Sequence, residues 1–240
     1  MLVPLIENTF GVGERLETNL VYRPPAPVAI VPVLLAENSS TVDGTSFPFA
    51  ESASPSTNQL LLMAVGCSHG TAVEVPNSIS AYGLTWLQAP GVANGTVTHG
   101  SSTKRITWFY AWGAPTTGTV TIGFATSHSN CAYSVIACPR AMLAAPRQST
   151  SNTANSTTIT GTLAATLAGS MHIYALWHNA GEIAAVPATG GWTKLSDRTV
   201  ATPSNGLHVA WTTSGDLTAD PTWTTSSLVS ILSLEVRRAA

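Results

Sequence analysis

The chain has 240 residues, of which 44% are hydrophobic and only 9% charged, with a formal net charge of −2. An ordinary soluble domain carries roughly 25% charge, so this composition excludes long solvent-facing helices, and its apolar content excludes a disordered chain. The densest basic spots, Lys104-Arg105 and Arg237-Arg238, are too small to track a phosphate backbone, so no nucleic acid is expected as a ligand.

Residues 1–36 differ from the rest. Six of the twelve acidic residues lie in the first 51 positions: Glu7, Glu14, Glu17, Glu37, Asp43 and Glu51. Residues 22–32 hold four prolines. Proline fixes φ and removes a donor, so this stretch predicts an extended, polyproline-like arm and not a central strand or helix. The longest apolar run, Val28 to Ala36, is interrupted by Pro32 and falls short of the ~20 residues of a spanning helix. The start of the chain has neither the basic region nor the uninterrupted apolar region of a signal peptide. The expectation is a protein made in the cytoplasm, neither secreted nor held in a membrane.

From about residue 40, short runs of β-branched and aromatic residues alternate with Gly, Pro, Asn and Ser clusters, the pattern of an all-β chain. The predicted strands are Gln59–Cys67, Leu84–Gln88, Arg105–Trp112, Gly118–Phe124 and Cys131–Ala137, then Thr157–Leu163, Met171–His178, Thr193–Arg198, Leu207–Trp211, Pro221–Thr224 and Leu228–Val236. No segment keeps a 3.6-residue period; Met142 to Ala145 offers one helical turn at most. The two series are an internal repeat. Leu60-Leu-Leu-Met-Ala-Val-Gly-Cys-Ser-His-Gly70 aligns without a gap on Met171-His-Ile-Tyr-Ala-Leu-Trp-His-Asn-Ala-Gly181. Each copy continues through a proline turn (Pro76; Pro187), a Gly followed by Trp (Trp86; Trp192), an aromatic strand and a final alternating strand. The spacing is far longer than that of a solenoid or propeller. It predicts an antiparallel β-sandwich over residues 37–240, built from half-repeats at about 37–145 and 146–240 that each supply part of two packed sheets.

The residues that usually carry chemistry are scattered. The three cysteines, Cys67, Cys131 and Cys138, form no disulfide framework and read as buried thiols. No G-x-S-x-G elbow, H-x-H, H-E-x-x-H or C-x-x-C occurs. His172 and His178 share a strand face but stand roughly 20 Å apart, and His69 and His128 meet only if the tertiary structure brings them together. Glu74 and Glu182 each follow the repeated strand and read as equivalent loop positions. Asp216 and Asp220 lack the dense ligand pattern of a calcium loop. No catalytic residue, metal site or cofactor is expected. Of the seven tryptophans, Trp108 and Trp112 share parity with Tyr110 and make an aromatic stripe. Core or inter-subunit packing is the first reading of that stripe; contact with a glycan, helped by loops 91–103 and 201–206, is the second.

The order "NQLLLMAVGCSHG", proline turn, "GLTW", Gly/Ser loop, "RITWFYAWGAPTTGTVTI", Ser/Asn loop, "NCAYSVIA" and a shorter second copy resembles the jelly-roll-type β-sandwich domains of tailed-phage virion proteins and bacterial surface proteins. The resemblance covers about residues 40–237. It implies assembly and not catalysis: a capsid decoration or cement protein, homo-oligomeric, contacting the major capsid protein or other virion proteins. The arm, with Tyr22, Arg23, Pro24, Pro25 and Pro27, is then the docking element. The alternative is a tail, baseplate or surface adhesin whose sandwich binds glycan.

Overall fold

The computed structural model describes residues 28–91 and 95–239. Nine strands make the first repeat: β1 (Val33–Ser40), β2 (Gly44–Phe49), β3 (Leu60–Ser68), β4 (Ser78–Ser80), β5 (Leu87–Gln88), β6 (Thr96–His99), β7 (Lys104–Ala111), β8 (Val120–His128) and β9 (Asn130–Cys138). Its large antiparallel sheet runs β1-β9-β3-β7-β5, with β6 also paired to β7, and a small sheet runs β2-β8-β4. All nine residues of β3 are buried, which explains why it reads as a continuous apolar run instead of an alternating one. Leu61, Met63, Val65 and Cys67 pack under the small sheet against Phe47, Phe49, Val120, Ile122 and Phe124. Leu60, Leu62 and Ala64 point the other way into a separate core.

The second repeat adds β10 (Gln148–Thr158), β11 (Gly161–Thr162), β12 (Met171–His178), β13 (Thr193–Ala201), β14 (Ser204–Thr212), β15 (Thr218–Ala219) and β16 (Thr222–Val236). Its large sheet runs β10-β16-β12-β14-β13. Strand for strand this copies β1-β9-β3-β7: Leu60 pairs with Cys138 and its counterpart Met171 with Val236. The outer cover is reduced to the short β11–β15 ladder and to loop residues Ala184 and Trp192, which close a core over Tyr174, Leu176 and Ile231.

The fold is thus all-β and antiparallel, as expected. The half-repeats do not share their sheets, however: each completes a large sheet of its own, because the pairings within a repeat run between strands of that repeat. The two large sheets then pack face to face. The core between them joins Leu62, Trp108 and Ile136 of the first repeat to Ile173, Val209 and Leu232 of the second. Other expectations shift at the edges. β1 begins at Val33, directly after Pro32, so four residues assigned to the arm lie in the sheet. Leu84–Gln88 narrows to the two residues of β5, Thr157–Leu163 divides between β10 and β11, and Pro221–Thr224 fuses with Leu228–Val236 into β16. No helical turn forms at Met142–Ala145. Outer strand β10 has no apolar signal over most of its length because it is rich in Ser, Thr and Asn, and the apolar start of β1 reads as arm because it follows Pro32. Both protect an edge amide in the same way: Asn38 Oδ1 accepts the Ser39 N–H at 2.9 Å and Asn152 Oδ1 the Thr153 N–H at 2.8 Å, which leaves less of each edge open to a foreign strand.

At the heart of the inter-repeat core, Gly66 lies under the Trp177 indole. The two are equivalent positions of the repeat, Gly in one copy and Trp in the other. A Cβ on residue 66 would sit 2.4–2.9 Å from the ring carbons. Gly66→Ala is therefore expected to cost about 1–3 kcal/mol by overpacking, and Trp177→Ala about 3–5 kcal/mol by leaving a cavity. Denaturant titration of both variants checks this, and a Gly66→Ala/Trp177→Phe double variant should recover part of the first loss.

Candidate functional site

The cysteines serve packing. Cys67 and Cys131 pair across β3 and β9, and all three cysteines are free and buried. Burial pushes the Cys67 thiol up to about 12, against the pull of Arg105, and raises Cys131 and Cys138 as well. A thiol in this state is a poor nucleophile.

Most of the histidines hold backbone. His69 and His128 do meet at one rim, with ring centroids 5.1 Å apart. His69 Nδ1 accepts the N–H groups of Thr71 and Ala72 at 3.0 and 3.1 Å. His128 Nε2 accepts the Glu74 N–H at 3.2 Å, while its Nδ1–H donates to Thr126 O at 3.0 Å. In the second repeat His178 accepts the Ala180 N–H on Nδ1 and donates through Nε2 to Glu182 O at 3.0 Å, its ring stacked on Trp223. Glu74 and Glu182 are indeed counterparts: Glu74 Oε2 accepts the Thr126 N–H, and Glu182 Oε2 accepts the N–H groups of Thr224 and Thr225 and the Thr224 hydroxyl. Those bonds hold the Glu182 carboxyl down at about 2. Both carboxylates anchor a loop to the strand beside it. Among the described residues no three His, Cys, Asp or Glu side chains gather as a metal ion requires, and no helix is long and apolar enough to cross a membrane.

Other polar groups tie the repeats together. Buried His99 bonds Ser230 Oγ at 2.9 Å through Nδ1 and Asn179 Oδ1 at 3.1 Å through Nε2. Ser196 donates to Glu37 Oε2 at 2.7 Å and also meets Ser134. The hairpin at 201–206 is pinned to the first repeat, since Pro203 O accepts from Asn130 and Asn205 Nδ2 reaches Ser68 Oγ. Within loops 91–103 and 201–206, His99, Pro203 and Asn205 thus build contacts between repeats, while Ser101, Ser102, Ala201, Thr202 and Ser204 are exposed.

Of the predicted site residues, Tyr22, Arg23, Pro24, Pro25 and Pro27 lie outside the described residues. The aromatic stripe divides. Trp108 is fully buried and donates from Nε1 to Leu232 O at 3.0 Å, so it bolts one sheet to the other. Tyr110 is nearly buried, and Trp112, past the end of β7, is 39% exposed and stacked on Tyr110 at 5.6 Å and 18°. Together with Thr85 and Leu87 they line a shallow depression of about 210 Å³. A second exposed apolar surface, invisible to periodicity, lies at one end of the molecule. There Val28, Val31 and Val33 stand exposed around two shallow clefts lined also by Pro139, Arg140 and Arg238. Met142 and Leu143, two and three residues beyond Arg140, are exposed as well.

Compared with family models, curated proteins and solved structures, the chain finds no match.

The histidine geometry makes stability depend on pH. Burial pushes His99 and His178 down to about 4, and lowers His128, His172 and His208 too. The folded state keeps these rings neutral, whereas the unfolded chain protonates them near 6.5. Stability is therefore full above about pH 7 and falls as pH drops from about 6.5 to 4, with His99 and His178 each contributing a loss of about 3 kcal/mol at the lower end. Thermal unfolding across that range checks it. His99→Gln, which removes the titrating ring, should flatten part of the fall.

Proposed function

We propose that the chain is a non-enzymatic structural protein of a tailed-phage virion, a decoration or cement protein that docks on the major capsid protein or another virion protein and associates with its own copies. The observation that carries this reading is the exposed aliphatic surface of Val28, Val31 and Val33 beside Arg140, where the Pro-rich segment enters the sandwich. Contiguous exposed apolar surface marks interaction sites. Buried thiols with raised pKa and histidines committed to backbone support a structural role over a catalytic one.

A tail, baseplate or surface adhesin with a glycan-binding sandwich is the second reading. One observation favours it: Trp112 is the one exposed tryptophan of the seven.

Quantitative mass spectrometry of purified virions tests the first reading. A copy number in stoichiometric ratio to the major capsid protein is the expected result; a few copies, or none, overturns decoration. Val31→Asp lies on exposed surface and should leave the melting temperature unchanged while weakening binding to capsids stripped of the protein at least tenfold.

A further inference from the structure

We propose that Trp112, Tyr110, Leu87 and Thr85 form a subsite for a single neutral sugar ring, a proposal that deepens the glycan-binding reading and rests on it.

The first argument is exposure without structural need. Trp108 and Trp177 are fully buried, and Trp192 and Trp223 nearly so. Trp86 is half-buried with its Nε1 bonded to Ala81 O at 3.0 Å, and Trp211 packs against the inter-repeat core. Trp112 is the most exposed of the seven. Leu61 pairs with Ala111, and its counterpart His172 pairs with Thr212, so Trp112 corresponds to Thr213 in the second repeat. The equivalent strand of the other large sheet completes its fold there without an aromatic, so the architecture of the repeat does not require an indole at 112.

The second argument is pre-organisation. Leu87 pairs with Tyr110, and continuing that register places Thr85 opposite Trp112. The four side chains therefore occupy one face, two aromatic rings in a row with an aliphatic and a hydroxyl beside them. The stack on Tyr110 holds the indole flat. The backbone on either side is fixed as well: Gly113 O accepts the Asn58 N–H at 3.3 Å, and the Thr116 N–H donates to Tyr82 O at 2.9 Å. A flat aromatic held in advance loses little entropy when a ligand covers it.

The third argument is charge. Neither 81–91 nor 106–119 contains an Asp, Glu, Lys, Arg or His, and the depression is lined by Thr85, Leu87, Tyr110, Ala111 and Trp112. A phosphate or a carboxylate would find no counter-charge. The ligand that suits a bare indole face rimmed by a hydroxyl is uncharged, with one apolar face of C–H groups and a hydroxylated edge. A pyranose has that shape, its C–H face meeting the negative face of the ring. The depression holds about one such ring. A protein partner would need roughly 800 Å² on each side, far more than this shelf offers.

The test uses the full-length chain labelled with ¹⁵N, in which the seven tryptophans give seven indole N–H signals, that of Trp112 identified by its loss in Trp112→Phe. Methyl glycosides of glucose, galactose and mannose are titrated to about 100 mM, the range suited to millimolar dissociation constants. The expected result is a saturable shift of the Trp112 indole with at least one glycoside. Trp112→Ala should weaken binding at least tenfold with an unchanged melting temperature, and Trp112→Phe should keep part of it. If a different indole shifts and Trp112 does not, this subsite is wrong while glycan binding stands. If no indole shifts with any glycoside, the subsite and the glycan-binding reading fall together.

Discussion

The structure depends on one contact, the Trp177 indole laid on the bare backbone of Gly66. Two copies of one motif packed face to face here bring the equivalent positions 66 and 177 into contact. Two large side chains there would collide, and two glycines would leave a hole. Gly in one copy and Trp in the other lets the sheets close to packing distance, and Trp108 then reaches from β7 to the backbone of β16. Each large sheet is left with one face on this shared core and the other on its own cover. That arrangement demands strands that are apolar on both sides, and β3, β9 and β12 are buried along their whole length.

With so few charges, the chain does its polar work with neutral groups. Five histidines have their pKa lowered by burial, and most of their ring nitrogens hold a main-chain or side-chain partner that a neutral ring satisfies. The buried carboxylate of Glu235 is the main ionic exception. Burial pushes its pKa up, but the Leu167 N–H at 2.8 Å and the Arg147 and Gln148 side chains at 2.6 Å outweigh it and keep the group ionised. An unpaired charge at that depth would be far costlier than any of the hydrogen bonds that surround it. The same rule explains why Asp197 keeps Lys194 beside it at 2.6 Å.

The two copies differ where they face solvent. The first repeat carries a full three-stranded cover and the Trp112 shelf; the second has a two-residue ladder and Thr213 at the matching place. Their shared part is the large sheet and the carboxylate that anchors the loop after its central strand, Glu74 in one and Glu182 in the other. The fold requires those features of both copies. It leaves the ends of β7 and β14 and the outer layers free to diverge, and the exposed aromatic stands in that freedom.

The sequence by itself determined that the chain is all-β, that it is duplicated, and where most of the apolar strands run. A gapless match between Leu60–Gly70 and Met171–Gly181 leaves little doubt about shared local structure, because a period-2 or continuous apolar run dictates a strand before any neighbour is known. It also showed that Trp108, Tyr110 and Trp112 share one face. What it could not contain was the pairing in space. Strand β10 carries too few apolar residues to announce itself, and the apolar start of β1 follows directly on the prolines of the arm and reads as part of it. The assignment of each repeat to its own sheet, the meeting of His69 with His128, and the separation of buried Trp108 from exposed Trp112 follow from which surfaces face each other. Strand parity says which side of a sheet a residue occupies; only the second layer packed against that side, and the point where it ends, decides whether the residue is core or surface.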